Sequence, residues 1–90
     1  MITLTGRLIC ADAAEAGIVR AHLSEHICLT REEPGCLSFS VRPTDDPLVW
    51  EVEESFADRE AFEAHQARTR ASAWHRATVQ VKRDYRISGL

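Results

Sequence analysis

Along these 90 residues the spacing of apolar side chains switches from every second residue to every third or fourth and back again. That order of periods restricts the fold more than any other feature of the chain. Over residues 1–10, Ile2, Leu4, Leu8 and Cys10 share one parity, while Thr3, Thr5 and Arg7 take the other. This is the mark of a strand with one buried face. Gly6 has the buried parity and leaves space there, for an approaching helix or for a ligand. Asp12 is set to cap a helix, and Glu15 three residues on can complete a capping box. Ala16, Val19, Leu23, Ile27 and Thr30 then follow at intervals of three and four, one face of that helix. Pro34-Gly35 ends it, because the residue before proline is pushed out of the helical region and glycine permits the turn.

Period two returns over residues 36–42, with Leu37, Phe39 and Val41 on one side and Ser38 and Ser40 on the other. Pro43-Thr44-Asp45-Asp46-Pro47 is turn chemistry throughout. Residues 48–56 put Leu48, Trp50, Val52 and Phe56 on one face and Glu51, Glu53 and Ser55 on the other. Glu54 breaks the pattern, being a carboxylate with the parity of the apolar face. Asp58 caps a second helix in which Ala61, Phe62, His65 and Thr69 share a side, and Thr69 or Ser72 can cap a further short turn carrying Trp74. Residues 79–88 read as a last strand, with Val79, Val81, Tyr85 and Ile87 in register.

Strand, helix, strand, strand, helix, strand in one stretch of 1–90 predicts a single α+β domain of ferredoxin-like βαββαβ order. Its four-stranded antiparallel sheet should carry both helices on one face. The uncovered face would then present Thr3, Thr5, Arg7, Glu51 and Glu53, with Met1, Ile9 and Val49 among them. Such a face can stay wet or can pair with its own copy through crossed Arg–Glu contacts. A domain of this size buries only somewhat more than ~60% of its chain surface, so a partner subunit would add to a modest core. The net charge of −3 argues against nucleic acid, which wants a basic face. No apolar run approaches the ~20 residues of a membrane span, and Met1-Ile2-Thr3-Leu4-Thr5-Gly6-Arg7 lacks the pattern of a signal peptide. Cys10, Cys28 and Cys36 are odd in number and lack CxxC spacing, so buried thiols in a reducing cytoplasm are expected.

Between residues 33 and 74 the chain reads Glu33-Pro34-Gly35-Cys36-Leu37, Asp46-Pro47, Val52-Glu53-Glu54-Ser55-Phe56-Ala57-Asp58 and Ala61-Phe62-Glu63-Ala64-His65. In order and spacing these segments resemble the antibiotic biosynthesis monooxygenase domain family: a helix ending in EPGC, a strand ending in E-x-aromatic-x-D, and a helix carrying A-H. The motifs span about half of the chain and the strand–helix order all of it. The resemblance implies a dimeric α+β barrel, a homodimer whose sheets pack through the face free of helices. It also implies oxygenation of phenols or quinols without a cofactor.

Among residues able to carry chemistry, Glu54 stands first, since a carboxylate on an apolar face must be paired, hydrogen-bonded or protonated. His65 lies on the inner side of the helix that folds back over the same strand, so the two are expected to meet. The pair is either a catalytic base with its orienting carboxylate or a buried contact that only fixes the helix. Trp74, after a helix break, is the aromatic best set to reach a pocket beside them. Trp50, Phe62, Phe39 and Tyr85 either line that pocket or belong to the core. His22-Leu23-Ser24-Glu25-His26 matches the H-x-x-E-H metal motif, but a chain this short offers no third ligand or cleft for it. Solvated helix-surface histidines are the expectation, with no metal. Arg68, Arg70, Arg76, Lys82, Arg83 and Arg86 make a basic C-terminal third, read as a solvated face from which Arg83 could steer an anionic substrate.

The favoured reading is a cytoplasmic, cofactor-free monooxygenase acting on a small aromatic phenol or quinol. His65 would be the base or the phenol's hydrogen-bond partner, Glu54 its orienter, and Trp74 and Phe62 walls of the pocket. Haem breakdown, known among proteins of this fold with an Asn, Trp and His set, fits poorly because the chain has no asparagine and only Trp74-His75 to mimic part of it. The alternative of a different class is a non-catalytic dimeric binding or stress-associated module for a small aromatic ligand.

Overall fold

The computed structural model describes residues 1–90. Strands β1 (Ile2–Ile9), β2 (Cys36–Pro43), β3 (Val49–Phe56) and β4 (Lys82–Ser88) form one antiparallel sheet in the order β2-β3-β1-β4. Helix α1 (Ala13–Arg31) connects β1 to β2. Helix α2 (Arg59–Arg70) and the short α3 (Ala73–Thr78) connect β3 to β4. This is the ferredoxin-like α+β arrangement, with its second helical segment broken in two at Ala71-Ser72.

Each helix starts where a short polar side chain can satisfy free N–H groups. Asp12 accepts from the Glu15 amide at 2.9 Å, and the Glu15 carboxylate accepts from the Ala11 amide at 2.8 Å, closing a reciprocal cap. Asp58 accepts from the Ala61 amide at 2.8 Å, and the Ser72 hydroxyl from the His75 amide at 3.1 Å. The strands alternate as their sequences require. Ile2, Leu4 and Leu8 of β1 and Trp50, Val52 and Phe56 of β3 are buried, and they meet Ala16 and Val19 of α1, Phe62 of α2 and Trp74 of α3. Burying each large apolar side chain contributes roughly 1.5–3 kcal/mol, so this layer drives folding.

Local differences from the expected pattern have local causes. A bulge in β2 lets Cys36 face Phe56 and Ser38 face Ser55, so Leu37 is squeezed out of register and lies 59% exposed. The last strand begins at Lys82 rather than at residue 79. Val79 closes α3 and points into solvent, and the Val81 amide turns back to the Thr78 carbonyl before the strand starts. The close approach that Gly6 permits is that of the neighbouring strand. Tyr85 faces Gly6 across β1 and β4, and a Cβ at Gly6 would stand 2.8 Å from the Tyr85 Cα and 2.9 Å from its ring. Of the three thiols expected inside, Cys10 is buried, Cys36 half-buried and Cys28 exposed.

Gly35 has a consequence for the site. Its φ of +84° turns the chain after α1, and a Cβ there would press on the Ala61 Cβ at 2.5 Å. The Gly35 carbonyl also accepts from the Ala57 amide at 2.8 Å. The Glu33-Pro34-Gly35 turn is thus held against the start of α2.

Candidate active site

Parity carries Glu54 of β3 into the layer beneath the helices, where it is 6% exposed. Helical spacing brings His65 of α2, 3% exposed, down onto the same layer. His65 Nε2 and Glu54 Oε1 are 3.6 Å apart, and that oxygen has no hydrogen-bond partner within the chain. The distance is too long for a direct bond and suits a bridging hydroxyl or a water.

The orienter of His65 is a different carboxylate from the one the sequence points to. Glu33, in the turn held by Gly35, bonds His65 Nδ1 at 2.6 Å. Its other oxygen accepts from Arg68 Nε at 2.8 Å, one turn further along α2. With Nδ1–H donated to a carboxylate, Nε2 is left as the acceptor, and it is the nitrogen on the Glu54 side. Glu54 is therefore not the orienter; its carboxyl stands across the free nitrogen.

His26 corrects the reading more sharply. Expected on the solvated surface, it is 5% exposed and stacked on Trp74 with ring centroids 4.7 Å apart and planes within 4°. Its Nδ1 has no hydrogen-bond partner. Two threonines brace this stack in matching fashion. Thr30 donates to the His26 carbonyl at 2.7 Å while accepting from Arg68 at 2.8 Å. Thr78 donates to the Trp74 carbonyl at 2.7 Å while accepting from Arg83 at 2.8 Å. Arg68 and Arg83, read as part of a solvated face, are therefore partly buried struts.

Burial sets the proton affinities. Desolvation, followed by the charge of Glu33, pushes Glu54 up to about 7. Desolvation holds His65 below the usual imidazole range, against the hydrogen bond and charge of Glu33. Desolvation and then the Arg68 charge push His26 down to about 3, so it is neutral in ordinary buffers. Burial raises the Tyr85 phenol to about 12.

Glu54, His65, His26, Trp74 and Tyr85 line a common cleft of about 330 Å³, with Arg70 and Arg83 also in its wall. Three aromatics proposed for the pocket do not line it. Phe62 packs edge-on to Phe56 at 5.7 Å in the core, because its side chain enters the layer one turn before His65. Trp50 sits opposite Leu8 at the other end of β3. Phe39 lies behind the histidines, edge-on to His26 at 5.3 Å. Glu33, His26 and Arg68 are the members that the sequence reading missed. His26 had a signal: Ala16, Val19, Leu23, His26 and Thr30 make a regular 3-4-3-4 stripe, and the apolar character of Ile27 hid it.

The chain belongs to the antibiotic biosynthesis monooxygenase family, whose sequence profile matches residues 1–77. No curated protein matches it in sequence. Among solved structures it is similar to SnoaB, a cofactor-independent oxygenase from Streptomyces nogalater, with 13% identity, a TM-score of 0.79, and coverage of 99% of this chain and 91% of that one. Rv0793 from Mycobacterium tuberculosis aligns with 21% identity and a TM-score of 0.76 over 99% and 93% of the two chains. PA3566 from Pseudomonas aeruginosa aligns with 24% identity and a TM-score of 0.73 over 99% and 90%. At these identities the likeness establishes a shared fold.

Proposed function

We propose that the chain is a cofactor-independent monooxygenase acting on a small aromatic phenol or quinol. The observation that carries this reading is the buried imidazole of His65, tied at Nδ1 to Glu33 and facing, at Nε2, an unpartnered carboxyl in the wall of a cleft. Family membership supports the reaction type, and SnoaB, of the same fold, is a cofactor-independent oxygenase.

In the proposed reaction His65 Nε2 takes the phenolic proton, and the ionised Glu54 stabilises the imidazolium that forms. The electron-rich phenolate gives electrons to oxygen, and a C–O bond forms at an unsubstituted ring carbon, opposite the hydroxyl in the simplest case. The hydroperoxide then loses water. Its O–O bond breaks, the C–H proton leaves the same carbon, and His65 returns its proton to the departing hydroxide. A phenol plus O₂ thus becomes a quinone plus water, all four electrons coming from the substrate. The chain's contribution is orientation, a poised base and a partly dry cleft.

The test is oxygen uptake by the purified protein with electron-rich phenols and hydroquinones, without added cofactor and in the presence of a chelator. Uptake should rise with pH through about 7 as Glu54 ionises. Ligands that bind in the cleft with no oxygen uptake across such a panel would assign it to a binding module instead.

The homodimer is part of the same proposal. On the uncovered sheet face Arg42 pairs with Glu53 at 3.1 Å and Glu51 at 3.5 Å, while Arg7 forms no ion pair within the chain. Face-to-face packing would give Arg7 a carboxylate from a second copy and cover Ile9 and Val49. Light scattering should return about twice the chain mass of 10.1 kDa.

A further inference from the structure

We infer that the cleft is selective for aromatic ligands that carry an anionic group as well as a hydroxyl, a phenol or quinol bearing a carboxylate. The inference deepens the oxygenase reading and uses the same cleft. Its grounds are the distribution of charge and of unmet hydrogen bonds along the cleft wall.

Glu54 is the one carboxyl lining the cleft, and Arg70 and Arg83 line it too. Neither arginine forms an ion pair within the chain; the only arginines that do are Arg42 and Arg68. Arg83 is also held in place. Its Nη1 donates to the Thr78 and Val81 carbonyls, at 2.5 and 3.0 Å, and its Nη2 to the Thr78 hydroxyl at 2.8 Å. All three acceptors are neutral, so the guanidinium is fixed while its charge stays uncompensated. These bonds use three of the five N–H donors of an arginine, and the remaining two, Nε–H and one on Nη2, are shared between the neighbouring Tyr85 phenol and a ligand. Arg70, at the end of α2, is exposed and adds a second, movable cation. A fixed guanidinium with a donor to spare and no counter-charge matches a carboxylate in sign and in hydrogen bonding.

The rest of the wall asks for something else. Glu54 Oε1 and His26 Nδ1 are polar atoms in side chains more than nine-tenths buried, and neither has a partner. A ligand hydroxyl between Glu54 Oε1 and His65 Nε2, which lie 3.6 Å apart, can donate to His65 Nε2 while accepting from the protonated Glu54 carboxyl. Cationic donors and proton-accepting atoms thus share one small cleft. A neutral phenol satisfies only the acceptors, and a simple carboxylate only the arginines. A hydroxylated aromatic acid satisfies both.

A matched ligand pair tests this without relying on a variant. 4-Hydroxybenzoate and 4-hydroxybenzamide have nearly the same shape and differ in charge. By calorimetric titration at low salt and pH 7.5, the benzoate should bind about tenfold more tightly, as expected for a charge-assisted bond. Arg70→Gln, an exposed change, should shrink that ratio severalfold, and Arg83→Gln should shrink it further in protein shown by circular dichroism to be folded. Equal binding of acid and amide, or a ratio untouched by Arg70→Gln and by folded Arg83→Gln, would overturn the inference. The two readings fail separately. Charge-selective binding without oxygen uptake from 2,5-dihydroxybenzoate would overturn the oxygenase and leave the selectivity standing. Equal kcat/KM for oxygen uptake with hydroquinone and 2,5-dihydroxybenzoate would overturn the selectivity and leave the oxygenase.

Discussion

The layer between sheet and helices has two ends built on opposite principles. At the end where β1 runs into α1, Leu8, Cys10, Ala16, Val19, Trp50 and Val52 form an apolar cluster with no buried polar side chain among them. At the other end four of the five buried polar residues are gathered, His26, Thr30, Glu54 and His65, while the fifth, Thr78, braces Trp74 beside the start of β4. The same strands and the same long helix supply both ends, and the ends differ in the side chains they carry and in how the helices pack over them. An apolar end gains stability from each contact. A polar end with two unpartnered atoms gives some of it up, and proteins keep such sites where chemistry or recognition needs them. In a domain this small, function is to be sought where the alternating pattern admits a charge.

The comparison can be broken most decisively at His65. His65→Ala should lower oxygen uptake by roughly 10²–10⁴-fold if the imidazole is a general base. Circular dichroism must show the variant folded, since the residue is buried. Unchanged turnover in a folded variant would reduce the polar end to a structural contact.

At the apolar end the effect should fall on stability and spare the chemistry. Leu8→Ala removes a fully enclosed side chain and should cost about 2–5 kcal/mol in denaturant unfolding. The kcat of the remaining folded protein should stay within a few-fold of the original.

Glu54→Gln should do the reverse at alkaline pH. The folded-state pKa of Glu54, about 7, lies above its ordinary value of 4.5. Its contribution is fully present below pH 4.5 and is lost as pH rises through about 7. The glutamine variant should lack this loss and be more stable at pH 8 by on the order of 2–3 kcal/mol. It should also lose most of the rise of turnover with pH.

The histidines act with the opposite sign. His26 and His65 are both held below the ordinary imidazole value of 6.5, His26 at about 3. Stability that they contribute is present above pH 6.5 and is lost as pH falls, for His26 down to about 3. His26→Phe, which keeps a ring against Trp74, should flatten part of the acid limb of a stability-versus-pH curve. An unchanged acid limb would mean that His26 does not stay neutral in the folded chain.

Much of this contrast was legible in the sequence. Parity alone put Glu54 inside, and helical spacing put His65 over it, because both depend on local periods of two and three to four. The caps at Asp12 and Asp58 were readable for the same reason, and the third was narrowed to Thr69 or Ser72, of which the structure uses Ser72. Glu33 was not, since it precedes Pro34-Gly35 and looks like an ordinary loop acid. Its contact with His65 depends on how that turn is pinned to α2 by Gly35, a tertiary fact 32 residues away in the chain. The pocket walls were misjudged because strand parity cannot tell one end of a layer from the other. Trp50 and Glu54 share a face, and only the packing of α1 and α3 makes one end core and the other a cleft.

The polar end holds a carboxyl poised to change charge near neutrality beside an imidazole whose other nitrogen is tied. The direct measurement is a carbon-13 NMR titration of protein labelled at glutamate side-chain carboxyls, with the Glu54 signal assigned by its loss in Glu54→Gln. A midpoint for Glu54 near 7, moving down in folded Glu33→Gln as a neighbouring negative charge is removed, is the predicted result. A midpoint at the ordinary 4.5 would contradict the account.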